Sequence, residues 1–320
     1  MGAILIVTYV SIAVFLLAVG VRFYRIASLP MHLRWELYPV AHEKKAHYGG
    51  SYLEEPEWWK KPRETSLFGE MKVMVPEILL LAGVWEHNKS QWVRSFPFHF
   101  GLYLLAGLMG LLLVGGIASK AGMTVTESAG GVGAIIYHLT YVLGYGGLAL
   151  ALLGSLLLLG RRTLNADYRE YTKKGDFFNL VFFIATLGVA LAAHARVDPA
   201  FAGLREFAGR LLTFDLSAAS AATAWTSLQS AEVVLASILL AYIPLTHMSH
   251  FFTKWFMYHH IRWSDDPNLK GGPFEKKIGE MVQQPVSWAA PHIGADGKKT
   301  WLDVATADIK KKDDKEQKKS

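Results

Sequence analysis

The chain reads as an all-α membrane protein with five transmembrane helices, and three observations predict this. Of its 320 residues 52% are hydrophobic, and they gather in long blocks separated by very polar segments. Five blocks, residues 3–23, 96–118, 135–159, 177–194 and 228–252, approach or exceed the roughly 20 apolar residues a helix needs to cross the hydrocarbon core. The connections between blocks alternate between rich and poor in Lys and Arg, as expected when successive spans return the chain to opposite sides of a membrane.

The first block has no basic residues before it, and its positive charges, Arg22 and Arg25, follow the apolar run. That order predicts a transmembrane anchor over residues 1–24 rather than a cleaved signal peptide. The segment after it carries Lys44, Lys45, Lys60, Lys61, Arg63, Lys72 and Lys89. The connection after the third span carries Arg161, Arg162, Arg169, Lys173 and Lys174, and the tail ends in lysines from 310 to 319. Segment 119–134 holds only Lys120, and the three arginines of 195–227 are balanced by Asp198, Glu206 and Asp215. The positive-inside rule then puts the N-terminus outside and the C-terminus in the cytoplasm, and four or six spans would break this agreement. The formal net charge of +6 is thus a topology signal and does not call for a nucleic-acid partner.

The cytoplasmic loop 25–95 contains Trp35, Tyr38, Tyr48, Tyr52, Trp58, Trp59 and Trp85. So long and aromatic a loop predicts a docking surface for a cytoplasmic subunit, although headgroup anchoring accounts equally well for any single ring. Within it, Gly69–Trp85 has the pattern of an amphipathic or interfacial helix that Pro76 would interrupt. Residues 96–262 form a four-helix membrane bundle, and 263–320 a polar tail whose last residues have the composition of a disordered segment. The absence of cysteine excludes cysteine-ligated iron–sulfur clusters, covalent c-type haem and disulfides.

Five of the 12 histidines lie within or at the ends of apolar blocks. An ionisable side chain at membrane depth is costly and usually has a partner or a task; for histidine in a helical bundle, axial ligation of haem iron is such a task. In the predicted topology His99 (FPFHFG) lies about one turn inside the cytoplasmic end of the second span. His250 (PLTHMSH) lies at the cytoplasmic end of the fifth, so the pair can face each other across a b-type haem. His247, one helical turn from His250, is the substitute ligand or a nearby contact. His138 and His194 share the outer level and are candidates for a second haem or a quinone pocket, headgroup hydrogen bonding being the plain alternative. Glu232, a carboxylate inside the fifth span toward the outer side, is the candidate proton acceptor from quinol, together with His138 and His194. His32, His42, His47, His87, His259, His260 and His292 fall in loops or tail and are expected to be solvated.

The arrangement resembles the gamma (cytochrome b) subunit of respiratory nitrate reductase and its relatives. These include the membrane subunits of sulfate-reducer transmembrane complexes and of membrane heterodisulfide reductase. The motifs that carry the resemblance are FPFHFG around His99, the run Pro244–His250, LLLLGRRTL at the end of the third span and KKGDFF at the start of the fourth. The block RWELYPVAHE, residues 34–43, looks like the subgroup associated with heterodisulfide-reductase-like iron–sulfur proteins. The resemblance implies a multi-pass protein of the bacterial inner (cytoplasmic) membrane, haem b on His99 and His250, and menaquinone or another quinone as substrate. It also implies a cytoplasmic iron–sulfur partner and, in some relatives, a multihaem cytochrome c. The family's second haem uses positions that here hold Met109 and Glu232, so that haem is absent or moved, His138 and His194 being where it would move. The expectation is therefore an electron-transfer subunit rather than a stand-alone enzyme. The rival is a haem-free anchor or assembly subunit; a transporter lacks support, because no pair of broken helices is evident.

Overall fold

The five apolar blocks fold as helices. The structure, a computed structural model, describes residues 2–29, 34–217, 225–264 and 268–307; His32 and the lysine-rich end of the tail lie outside them. Among the described residues five helices are long and apolar enough to cross a membrane, as expected of a multi-pass membrane protein.

The chain divides into two compact units, the first formed by Met1–Phe23 and Leu67–Phe251. In chain order it holds α1 (Gly2–Ser28), α2 (Leu67–Leu79), α3 (Ala82–His87), α4 (Lys89–Lys120), α5 (Val132–Leu164), α6 (Ala166–Glu170), α7 (Lys174–Arg196), α8 (Ala202–Leu212) and α9 (Ser227–Tyr242). Helix α10 (His250–Phe256) starts at its end. The core is built from Leu108 and Leu112 of α4, Leu148 and Ala151 of α5, Phe183, Leu187 and Ala190 of α7, and Leu239 of α9. Helix α1 runs alongside α9 in the same direction. Leu5 packs with Val233 and Phe207, Thr8 Oγ1 is 2.9 Å from Ser237 Oγ, and Arg22 reaches Thr246.

Glycine sets the closest approaches. A Cβ on Gly101 of α4 would lie 2.3 Å from the Ala151 backbone nitrogen of α5, and one on Gly154 of α5 would lie 2.3 Å from the Phe98 nitrogen of α4. Gly116 of α4 meets Gly209 of α8 in the same way. Without a hydrophobic driving force between helices in lipid, such small-residue contacts supply the packing. The hydroxyls of Thr140, Ser155 and Thr186 inside the spans donate to the carbonyls four residues back, which keeps them satisfied without water.

Two expected elements come out differently. Pro76 lies inside α2 and does not end it; the interruption falls later, where Leu81 is left-handed (φ 54°). There Tyr103 Oη donates to the Ile78 carbonyl and Trp92 Nε1 to the Leu80 carbonyl, so side chains of α4 take up the carbonyls that the broken helix releases. The fifth block, expected to run as one span to residue 252, is α-helical only to Tyr242. Two 3₁₀ turns, Ile243–Leu245 and His247–Ser249, follow it. Pro244 has no N–H to continue the α-helical ladder, and Thr246 between the turns is extended (φ −112°, ψ −176°).

The second unit is formed by Tyr24–Ser66 and Phe252–Ser320. It carries α11 (Pro273–Val282), α12 (Trp301–Ala305) and one two-residue antiparallel pair, Ala289–Ala290 with Ala295–Asp296. The segment 34–43 is bound there to the π-helical turn Met257–Arg262 and to Trp263: the Trp35 and Glu36 amides donate to the Arg262 carbonyl, and Tyr38 Oη donates to Trp263 O at 2.8 Å. His42 stacks on fully buried Trp263 with ring centres 4.5 Å apart. His42 and His259, expected to be solvated, are instead buried, because the aromatic residues of two distant segments close over them. Burial raises the phenol of Tyr38 to about 12 and pushes the Glu43 carboxyl above its ordinary value, against the lowering effects of the Ser51 hydrogen bond and of Arg63.

Two outcomes test this packing. Gly101→Leu should cost at least about 1–3 kcal/mol in heat unfolding in detergent, whereas Gly110→Leu, with nothing within 4 Å of its Cβ position, should leave the melting temperature unchanged. Because the folded Glu43 keeps its proton to higher pH than the unfolded chain, its contribution is favourable at low pH and is lost as pH rises through the raised folded value. Glu43→Gln should flatten the acid-side pH dependence of melting followed by tryptophan fluorescence.

Candidate functional site

The sequence-predicted residues fall at the two ends of the membrane bundle. At one end lie His99, His247 and His250; at the other lie His138, His194 and Glu232.

His99 is in the first third of α4, one residue after Phe98. The glycine contact with Gly154 seats Phe98 against α5, so the turn that carries His99 is fixed by backbone packing. His250 opens α10, immediately after the second 3₁₀ turn. Their imidazole rings approach with centres 6.1 Å apart and planes at 59°. His99 Nδ1 lies 2.8 Å from the Ser95 carbonyl oxygen and His250 Nδ1 lies 3.3 Å from the His247 carbonyl oxygen. A carbonyl only accepts, so Nδ1 carries the proton in these bonds; in a neutral ring Nε2 is then the basic nitrogen. Two imidazoles bound to one metal through about 2 Å bonds have ring centres about 6 Å apart. The pair therefore matches a bis-histidine iron site in ligand type, tautomer and separation, and these are the residues that could hold a haem.

The break in the fifth span is what places His250, and Arg22 holds the break. Its Nη1 donates to the Thr246 carbonyl at 2.9 Å and to Ser249 Oγ at 2.6 Å, and its Nη2 to the Leu245 carbonyl at 3.0 Å. A guanidinium with a fixed fork of donors suits this role. Sequence reasoning used Arg22 only as a topology charge. The signal that could have found it is the first arginine after the apolar run of α1, level with a proline that breaks a neighbouring span. His247 is exposed and points elsewhere, its Nε2 3.6 Å from Asp176 Oδ1. The broken helix thus puts His247 and His250 on different sides, instead of one turn apart on one face.

At the opposite end His194 is 1% exposed. Its Nε2 is 2.8 Å from Glu232 Oε1, its Nδ1 is 2.8 Å from the Asp198 carbonyl oxygen, and its ring stacks on Phe201 at 3.8 Å. Both ring nitrogens are engaged within the protein. Glu232 is buried as well, and its second oxygen has no hydrogen-bond partner among the described residues. Asp198 caps α8 through the Ala202 and Gly203 amides, which fixes the turn whose carbonyl holds His194. The structure thus brings His194 and Glu232 together. It does not add His138, which is exposed on α5 and makes a ring contact with its neighbour Tyr137. Met109 is exposed on α4 while Glu232 faces inward, so the positions where the resembled family carries a second haem are not a matched pair in this chain. Among the described residues no group of three or more His, Asp and Glu is placed to hold a metal ion.

Comparison with protein-family models, curated proteins and solved structures finds no match to this chain.

The buried pair at the His194 end generates a coupling prediction. Glu232→Leu alone leaves a buried imidazole nitrogen without its partner and should cost about 1–3 kcal/mol of stability. The double replacement Glu232→Leu with His194→Phe should recover part of that loss, giving a coupling energy of about 0.5–3 kcal/mol in a double-mutant cycle of melting in detergent.

Proposed function

We propose that this chain is the membrane cytochrome b subunit of a quinone-linked redox complex, with His99 and His250 as axial ligands of one b-type haem. The observation that carries the reading is the facing pair of imidazoles, 6.1 Å between ring centres, each with Nδ1 against a backbone carbonyl. When bound, the haem supplies one-electron exchange; its potential depends on axial ligands, hydrogen bonding and burial. The chain's own part is to hold two neutral imidazoles at fixed spacing, with Ser95 O and His247 O setting their tautomers and Arg22 setting the position of the turn that carries His250.

In this reading the N-terminus is outside, and the basic connections and C-terminus are in the cytoplasm. The His99 end then faces the cytoplasm. Trp35, Tyr48 and Trp59, exposed on the second unit, support docking of a cytoplasmic iron–sulfur protein; a multihaem cytochrome c on the other side is a further partner of the same kind of complex. Quinone exchanges its electrons and protons in the membrane, and Glu232, with one buried oxygen unpartnered, is the proton acceptor at the outer end. His194 orients that carboxylate through the bond to its other oxygen.

One observation favours a second reading, a haem-free anchor: His194 shows that a buried histidine in this bundle can be wholly structural. A reduced-minus-oxidised optical spectrum of the purified protein separates the two, since the anchor has no b-type band. His99→Ala and His250→Ala should each abolish or sharply reduce haem content, and His247→Ala should retain it. Arg22→Gln should retain haem with a shifted midpoint potential, because the ligand turn loosens while both imidazoles remain. Haem lost in His247→Ala and kept in His250→Ala would assign the ligand to the wrong turn; a full haem complement in both His99→Ala and His250→Ala would refute the site.

A further inference from the structure

The break between α2 and α3 is built for surroundings without water. Helix α2 ends at Leu79, Leu81 is left-handed, and α3 leads into the start of α4. Tyr103 Oη of α4 donates to the Ile78 carbonyl at 2.6 Å and Trp92 Nε1 to the Leu80 carbonyl at 2.7 Å. The Gly83 amide donates to Glu77 Oε2 at 2.7 Å, so the carboxylate on this turn is engaged by the turn itself. Irregular backbone survives at membrane depth only where the protein supplies such partners.

Helix α4 sets the depth of the break. Between Arg94 and Lys120 it carries no Asp, Glu, Lys or Arg, a stretch of about 39 Å against a hydrocarbon core of about 30 Å. With the excess shared between the two ends, Tyr103 lies about 9 Å inside the hydrocarbon boundary. Its hydroxyl holds the Ile78 carbonyl within one side chain's length of that level. Trp85 meets Trp92 edge to face, ring centres 4.8 Å apart, and Lys89 Nζ lies 5.2 Å from the Trp85 ring. Tryptophan and lysine are the residue types of the membrane–water interface, so α3 runs from the break back to the headgroups.

The free face of α2 is apolar along its length. Leu67, Phe68, Met71, Val75, Leu79 and Leu80 are exposed, Phe68 to 80%. Lys72 stands beside them in the half of the helix away from the break, where its long stem can carry the charge to the headgroups. From Ile78 to Trp85 there is no charged residue. A contiguous exposed surface of this kind needs an apolar occupant, and it is continuous with the exposed Val93 and Phe100 on α4.

We infer that residues 67–85 form a re-entrant hairpin seated in the lipid of one leaflet, with the turn at Leu79–Leu81 as its deepest point. The occupant of its exposed face is the acyl region of the bilayer. This goes beyond an interfacial helix and takes the segment out of the water-exposed part of the loop 25–95. Trp92 and Tyr103 lie two turns before and one turn after His99 on one face of α4, so the hairpin is seated against the face that carries His99. The inference is independent of the haem reading, since it uses none of the histidines as ligands.

The chain has no cysteine, so single cysteines report without a background. Phe68→Cys, Leu79→Cys and, as a water-exposed reference on the second unit, Tyr48→Cys (82% exposed) are made in the full-length protein and reconstituted in phosphatidylcholine liposomes. A membrane-impermeant maleimide is supplied on both sides of the bilayer. The thiolate is the reacting form, and a thiol in lipid has a raised pKa, so Leu79→Cys should label at least about tenfold more slowly than Tyr48→Cys. A fluorophore on Leu79→Cys should be quenched by nitroxide carried on the lipid acyl chain, and more strongly by a deep nitroxide than one on Phe68→Cys. Labelling of Leu79→Cys at the Tyr48→Cys rate, or no quenching by acyl-chain nitroxide, would overturn the inference. Slow labelling in native membranes that becomes fast in liposomes of the purified chain would also overturn it, giving the face to a protein partner.

Discussion

A polar group inside a bilayer cannot fall back on water, and this requirement governs the arrangement of the whole bundle. Each break in a helix has to be matched by donors from elsewhere in the protein. Pro244 interrupts the fifth span, and the carbonyls of Leu245 and Thr246 lie beyond the α-helical ladder. Arg22 of α1 supplies the missing donors. One guanidinium thereby serves helix α1, which gains a polar anchor at its end, and the turn that presents His250. The same logic operates at the opposite end, where His194, Glu232 and the Asp198 carbonyl satisfy one another among apolar neighbours.

Close packing of glycine makes these polar links precise in position. Helices α4 and α5 approach until the Gly101 position meets the backbone of Ala151 and the Gly154 position meets that of Phe98. His99 on α4 therefore sits on an element that cannot rotate or slide without collision, the kind of support that the proposed haem site needs. The small residues of the third span are taken up at Gly147 and Gly154 by contacts with α4, and at Gly144 by the ring of Phe201.

The two histidine clusters differ in what their rings face. At the His99 end the rings face each other at a spacing that one metal can bridge, and the bonds of Nδ1 go to backbone carbonyls of local turns. At the other end both nitrogens of His194 are engaged and its ring stacks on Phe201, so this imidazole positions a carboxylate and a helix cap. Similar residue types at the two ends of the bundle thus have different surroundings, and the difference lies in hydrogen-bond partners rather than in composition.

Hydropathy and charge patterning sufficed to read the all-α class and the five spans, because helix length and lipid exclusion act on every residue of a block. The pairing of His99 with His250 was also legible, since depth along a helix follows from residue count. What came only from the tertiary structure depended on partners far away in the chain. The contribution of Arg22 to the His250 turn spans more than 220 residues of sequence, and the fifth span looks continuous until that partner is seen. Buried His42 was missed because Trp263, which covers it, belongs to a segment with no helical or strand period linking the two. Arg205 and Arg210 of α8 read as loop charges balanced by nearby acids, yet both are buried. Composition records that a charge is present, and only the fold decides whether water, a carboxylate or a backbone carbonyl stands beside it.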